Sequence, residues 1–227
     1  MILANVRGRL RDADLRLVSL ALSRGRPAVA ERNRARLHAE GPDALLDEPE
    51  LLEALLALRS LAIPSPQLFA YVAVRHALRR AGVDDRDLAD YLAALLLEFG
   101  DHDRHARIGK YDDQTYRYLV DLMSALEDND AAGERAFLLQ VHLGNYALWL
   151  AGLFPGRVTA QRERRGGPDL PYYDAMGRHG FQLAAEHLLA QRYGVDTIYR
   201  SAAEQFSELR GAFNQLSDKV FFPRLIA

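Results

Sequence analysis

The chain contains no cysteine, two lysines, one tryptophan and no run of alternating β-branched residues between hairpin turns. Without cysteine there are no disulfides, thiolate zinc sites, iron–sulfur ligation or cysteine nucleophiles. Metal would have to be held by His, Asp and Glu alone. Without strand-period alternation there is no evident sheet. No uninterrupted apolar run approaches the ~20 residues of a membrane span. At the N-terminus, "MILANVRGRLRDADLRLVSLAL" is broken by Arg7, Arg9, Arg11, Asp12, Asp14 and Arg16, and no small-residue cleavage site follows. It does not read as a signal peptide, so a cytoplasmic location is expected and a membrane partner is not. A net charge of −2 lacks the positive excess of a dedicated nucleic-acid binder.

What remains is an ordinary globular composition, 49% apolar and 26% charged over 227 residues. Such a chain can bury a sizeable core without staples, which fits one domain over 1–227, with a helical subdomain at 1–63 as the division to watch. Arginine supplies 27 of the 29 basic residues, lysine only two (Lys110 and Lys219). Spread over the whole chain beside abundant Ala and Leu, this bias reads as GC-rich bacterial coding rather than as a site.

The apolar spacing is helical nearly throughout. Leu15, Val18, Leu20 and Leu22 mark a first helix ending near Gly25 and Pro27, and residues 28–39 a short polar second one. A leucine run from Pro42 or Pro49 stops at Pro64 and Pro66. Ser65 is the expected N-cap of the next helix, with Pro66 at its first position. Asp84 or Asp85 caps the helix carrying Leu88, Tyr91, Leu92, Leu95, Leu96 and Phe99. Residues 101–113 read as a loop, 114–127 as a helix, and 127–133 as a break. The run 134–154 is apolar on almost every face, as a fully buried helix is. Further helices are expected over 170–193 and 195–220, the latter with the stripe Tyr199, Ala202, Phe206, Leu209, Phe213, Leu216 and Val220. The fold class is therefore all-α, a bundle of about eight helices around a central helix at 134–154.

Residues 155–169 read as the connector between the central helix and the next, which Asp169 caps with Pro171 in its first turn. Arg162, Arg164 and Arg165 are weighed there as an anion site beside a helix N-terminus, against the blander reading of a solvated connector. Gly177 and Gly180 share one helical face, and Gly144, Ala147 and Ala151 lie in the central helix. Glycine costs ~1 kcal/mol against Ala inside a helix. Such small residues are expected where two helix backbones meet closely.

Polar residues on faces that should be buried are the sharper candidates, since a buried polar group needs a partner. His142 and Asn145 sit three apart in the central helix; His187 continues the stripe of Gly177, Gly180 and Ala184, with Glu186 beside it. Together His142, Asn145, Glu186 and His187 would line an internal pocket for a small molecule or metal. The Glu-x-x-His of di-iron bundles is missing, as is His-Glu-x-x-His. Glu98 with His102, and Asp101 with His105, are the other four-residue spacings. No metal or cofactor is expected. Phosphate-loop, dinucleotide and nucleophile-elbow motifs are absent as well. "RHALRR" (75–80) is a basic helical patch followed directly by the acidic "DDRDLAD".

Residues 1–40 hold nine arginines against four acids. As a DNA-recognition unit this region is weighed against a solvated arginine-rich helix face, which is favoured because "RPAVAERNRARLHAEG" puts Arg and Glu where a helix-turn-helix packs apolar residues. The leading functional expectation is a non-catalytic protein that works through protein–protein contact, with itself or another chain. The alternative is a bundle whose internal pocket binds a small molecule or metal, with an enzymatic role; the second alternative is DNA binding through the basic N-terminal helices.

Overall fold

The computed structural model describes residues 2–58, 63–101, 103–109, 112–128 and 133–223. Among these there is no strand, and thirteen α-helices carry the chain. The first four are α1 (Asp12–Ser23), α2 (Pro27–Glu40), α3 (Asp43–Leu46) and α4 (Leu51–Leu56), preceded by a 3-10 turn at Arg7–Arg9. Next come α5 (Pro66–Arg80) and α6 (Arg86–Gly100). A loop with a 3-10 turn at Arg104–Ala106 leads to α7 (Leu119–Glu127), α8 (Gly133–Leu153) and α9 (Pro155–Arg165). Then follow α10 (Leu170–Glu186), α11 (Leu188–Tyr193), α12 (Asp196–Glu204) and α13 (Phe206–Leu216), which passes into a π-helical turn at Ser217–Phe221.

Local chemistry explains where helices start. The Ser65 hydroxyl accepts from the Leu68 amide at 3.1 Å, with Pro66 at the first helical position. The Asp85 carboxylate accepts from the amides of Asp87 and Leu88, each at 2.9 Å. Asp169 accepts from the Tyr172 amide at 3.0 Å. Each side chain satisfies amides that the helix itself cannot.

The helix count exceeds the expected eight because long periodic runs are divided. The supposed connector 155–169 is mostly helix α9: Pro155 stops α8 but sits at the first position of α9, where a missing N–H does no harm. Only 166–169 connects, with Gly166 at φ 65° ending α9. The run 170–193 breaks at His187, whose extended backbone (φ −72°, ψ 137°) caps α11 instead of continuing α10. The run 195–220 bends at Gln205 (φ −107°, ψ 21°) without losing its stripe. In α1 the buried face is Leu17, Val18 and Ala21, and Leu20 is half exposed. The expected break at 127–133 is bounded by the end of α7 and the start of α8; its residues 129–132 lie outside the described residues, as does His102.

Every residue of α8 from Val141 to Leu153 is buried. By length and composition this helix could cross a membrane, but 83% of its apolar window lies inside the fold. Helices α6, α7, α10 and α13 pack on it. The expected close approach of small residues is present. A Cβ added at Gly180 would meet the Gly144 amide nitrogen at 2.7 Å and the Gln140 carbonyl oxygen at 2.8 Å. At Gly177 it would meet the Phe206 ring at 2.2 Å and Ala147 at 2.9 Å. The far end of α8 is closed by α13: Asn214 donates to the carbonyls of Ala151 (3.0 Å) and Gly152 (2.6 Å), and Ser217 to that of Leu153 (2.7 Å). These are carbonyls a helix C-terminus leaves unpaired. One continuous apolar cluster runs from Ile2 and Val18 through Leu45, Leu68, Leu92 and Leu148 to Leu216.

Gly180→Ala puts a methyl group against backbone, which cannot rotate away, and is expected to destabilise by about 3 kcal/mol. Gly211→Ala in α13, where an added Cβ meets nothing within 4 Å, is expected to stabilise by about 0.5–1 kcal/mol. Urea unfolding of both variants checks the pair.

Candidate functional site

His142 and Asn145, one turn apart on α8, border the same small void with Ile2, Arg104, Ile108, Leu138 and Val141. Its volume is ≈ 10 Å³, of the order of one water molecule and too small for a ligand. Asn145 accepts from the Tyr91 hydroxyl at 2.7 Å, and Tyr91 meets Tyr199 edge-on at 5.6 Å. The His142 ring packs 5.4 Å from Phe99 and hydrogen-bonds the His105 backbone. Its Nε2 has no protein partner. Burial, with Arg104 nearby, pushes its pKa down to about 3, so His142 is neutral. Arg104 closes this side, donating to Glu98 at 3.0 Å and to the Arg107 carbonyl at 2.5 Å.

The other two residues of the expected pocket go elsewhere. Glu186 is exposed. His187 lies 5.2 Å from the Phe137 ring, and its Nδ1 accepts from the Leu189 amide at 3.2 Å. Having left α10, it cannot share that helix's inward stripe. The four residues therefore do not enclose one chamber. His105 stacks on Trp149 at 4.6 Å. Among the described residues no group of three or more His, Asp or Glu side chains is placed to hold a metal.

Arg162, Arg164 and Arg165 are exposed in the last turn of α9, at the negative end of its dipole, where cations are favoured for the helix's own sake. Arg162 is ion-paired with Asp169 at 3.1 Å. In the N-terminal region, too, arginines meet acids: Arg24–Glu50 at 3.0 Å, Arg34–Glu31 at 2.6 Å and Arg36–Glu48 at 2.6 Å.

The densest polar cluster is one that sequence reasoning did not single out. Arg75, on α5, is the largest fully buried side chain, only 2% exposed. It grips Asp47 with Nε at 2.7 Å and Nη2 at 3.1 Å, and Nη2 also reaches Asp84. Arg86 donates to the same Asp47 oxygen at 2.6 Å and 3.0 Å. Arg7 pairs with Asp43 at 3.4 Å, and its amide donates to Asp90 at 2.6 Å. The cluster joins the first 3-10 turn, α3, α5 and the start of α6. Burial raises the Asp47 carboxyl, but the hydrogen bonds from Arg75 and Arg86 overcome this and hold it at about 2. Arg75, which burial would deprotonate more easily, is raised by Asp47 and Asp84. Two buried polar atoms here lack a protein partner, Asp43 Oδ1 and Arg75 Nη1. Tyr71 and Arg75 are one turn apart on α5, and Tyr71 feels the charges of Arg7, Asp43 and Arg75. The available signal was the basic "RHALRR" followed directly by the acidic "DDRDLAD". Asp47, from α3, could not be joined to it by spacing.

Fold and site together define an all-helical protein with a water-sized polar void on its central helix and a buried guanidinium–carboxylate cluster at the N-terminal side. No family model matches the chain, and no curated protein and no solved structure matches it either.

The two pKa shifts give separate acid windows. His142 binds a proton near pH 6.5 when unfolded and only near 3 when folded, so stability is full above 6.5 and falls as pH drops toward 3. His142→Leu removes that term: between pH 7 and pH 5 the variant gains about 2 kcal/mol relative to the parent chain. Asp47 acts lower, its stabilisation present above about 3.8 and lost toward 2. Denaturant unfolding at stepped pH, with the two chains in parallel, reads both.

Proposed function

We propose that the chain acts through protein–protein contact and not through chemistry in its interior, and that its partner is a second copy of itself. The observation that carries this is an apolar groove of ≈ 740 Å³ between α1 and α4, lined by Leu20, Ala21, Ala54, Ala57 and Leu58 with Arg24 and Glu53. It is the largest of the surface depressions described, whereas the void at His142 and Asn145 holds ≈ 10 Å³. Leu20, on the α1 side, is 50% exposed. Apolar surface gathered in this way is the usual material of interfaces. The banks carry opposite charge, Arg24 at the end of α1 and Glu50 and Glu53 at the start of α4, paired within the chain as Arg24–Glu50 at 3.0 Å and Arg80–Glu53 at 3.6 Å. A two-fold axis sets such a surface against itself, apolar floor on apolar floor, with these exposed ion pairs placed to exchange partners between the copies, the self-complementarity that closed dimers require. The reading keeps the chain in the cytoplasm and gives it no cofactor.

Native mass spectrometry at micromolar concentration tests this. A dimer is expected, converted to monomer by Leu20→Glu, a substitution at an exposed position that shifts stability by no more than about 0.5 kcal/mol. A parent chain that stays monomeric, or a dimer indifferent to Leu20→Glu, overturns it.

A further inference from the structure

The Arg75 cluster stands apart from that groove and carries an inference of its own. Beside it a cleft of ≈ 550 Å³ opens to solvent, lined by Arg7, Asp43, Arg75, Asp84, Asp85, Arg86 and Asp87. This volume lies within the range of small-ligand sites. Three guanidiniums (Arg7, Arg75, Arg86) stand among five carboxylates (Asp43, Asp47, Asp84, Asp85, Asp87). Yet pairing is incomplete at both signs. Arg75 Nη1 is a buried donor without an acceptor, and Asp43 Oδ1 is a buried acceptor without a donor.

Leaving such atoms unmatched is costly, and more so when they belong to charged groups. Within the fold the guanidinium cannot relieve the carboxylate, because Asp47 and Asp84 already fix its other two nitrogens. What fits is a molecule that offers both an anionic oxygen and an N–H donor. A simple anion would be opposed by the carboxylates of Asp84, Asp85 and Asp87 and would leave Asp43 Oδ1 unmatched, and a simple cation would leave Arg75 Nη1 unmatched. We propose that this cleft is a binding site for a free α-amino acid, its carboxylate received by Arg75 and its ammonium by Asp43. Both residues line the cleft, and the more exposed side chains of Asp84 and Arg86 part to admit the ligand.

Calorimetric titration of the full chain with glycine and the other proteinogenic amino acids tests this, with acetate and methylammonium as half-ligand controls. At least one amino acid is expected to bind at concentrations up to about 10 mM, a level that detectably raises Tm by mass action, and neither control is expected to bind. Truncating Arg75 would leave a cavity at a fully buried position and Asp47 with Arg86 alone, which endangers the fold, so the decisive variants are gentler. Arg75→Lys keeps the positive charge but removes the planar donor set and is expected to weaken the amino acid roughly tenfold. Asp43→Asn is expected to transfer preference from the amino acid to acetate. Binding of no amino acid overturns the proposal and leaves the cleft to water. Acetate binding the parent chain as well as the amino acid does, unchanged by Asp43→Asn, overturns it in favour of a plain anion site.

Discussion

The contact on which the fold depends is the meeting of two helix backbones at Gly144 and Gly180. With no side chain on either, α8 and α10 approach until a single added methyl would strike backbone nitrogen and oxygen. That approach sets the spacing of everything stacked behind it. Phe181 lies over Gly144 and Phe206 over Gly177, each ring in the space a methyl would take. Dispersion gains rise steeply as surfaces close, and a gap of a fraction of an ångström forfeits much of them. Two glycines that weaken their helices by ~1 kcal/mol each thereby allow an all-round apolar helix to be buried on every side.

At the opposite pole of the molecule the constraint is electrostatic. Arg75 is almost wholly buried, and the carboxylates of Asp47 and Asp84 make that tolerable. Short helices and turns that could not stand alone are joined there: the four-residue α3, the turn at Arg7–Arg9 and the first turn of α6. A buried ion cluster contributes little net stability compared with an apolar substitute, but it accepts few alternative arrangements. Its role in this molecule is to fix how the N-terminal segments seat on α5.

Much of this was legible beforehand, and the failures have physical causes. The caps at Ser65, Asp85 and Asp169 were readable because each is a local contract between a side chain and the next two or three amides. The central helix was readable because only burial tolerates apolar residues all round. The glycine faces were readable because glycine inside a helix calls for a reason. The breaks at His187 and Gln205 were not, since neither residue is a breaker and each bend follows from docking. The expected pocket joined His142, Asn145 and His187 by assuming that α10 runs straight through 187. Once it ends at Glu186, the imidazole turns to Phe137. Arg162, Arg164 and Arg165 were placed beside the start of one helix but belong to the end of another, because Pro155 begins a helix as readily as it ends one. The Arg75 cluster depends on Asp47, which is distant in sequence, and no periodicity could supply it.

The last carbonyls of α8 have a consequence for how the chain is made. Their partners, Asn214 and Ser217, lie 62 to 64 residues further along. A ribosome synthesises that interval in several seconds, at the usual rates of chain growth. Throughout it, α8 has its C-terminal end uncapped and its Phe213-facing glycine, Gly152, uncovered. A helix apolar on almost every face thus waits for one of its covers, as do α5 and α6, which pack on the still later α13 and α12. Synthesis, rather than the finished fold, is the stage at which this molecule is most exposed to aggregation and to chaperone capture.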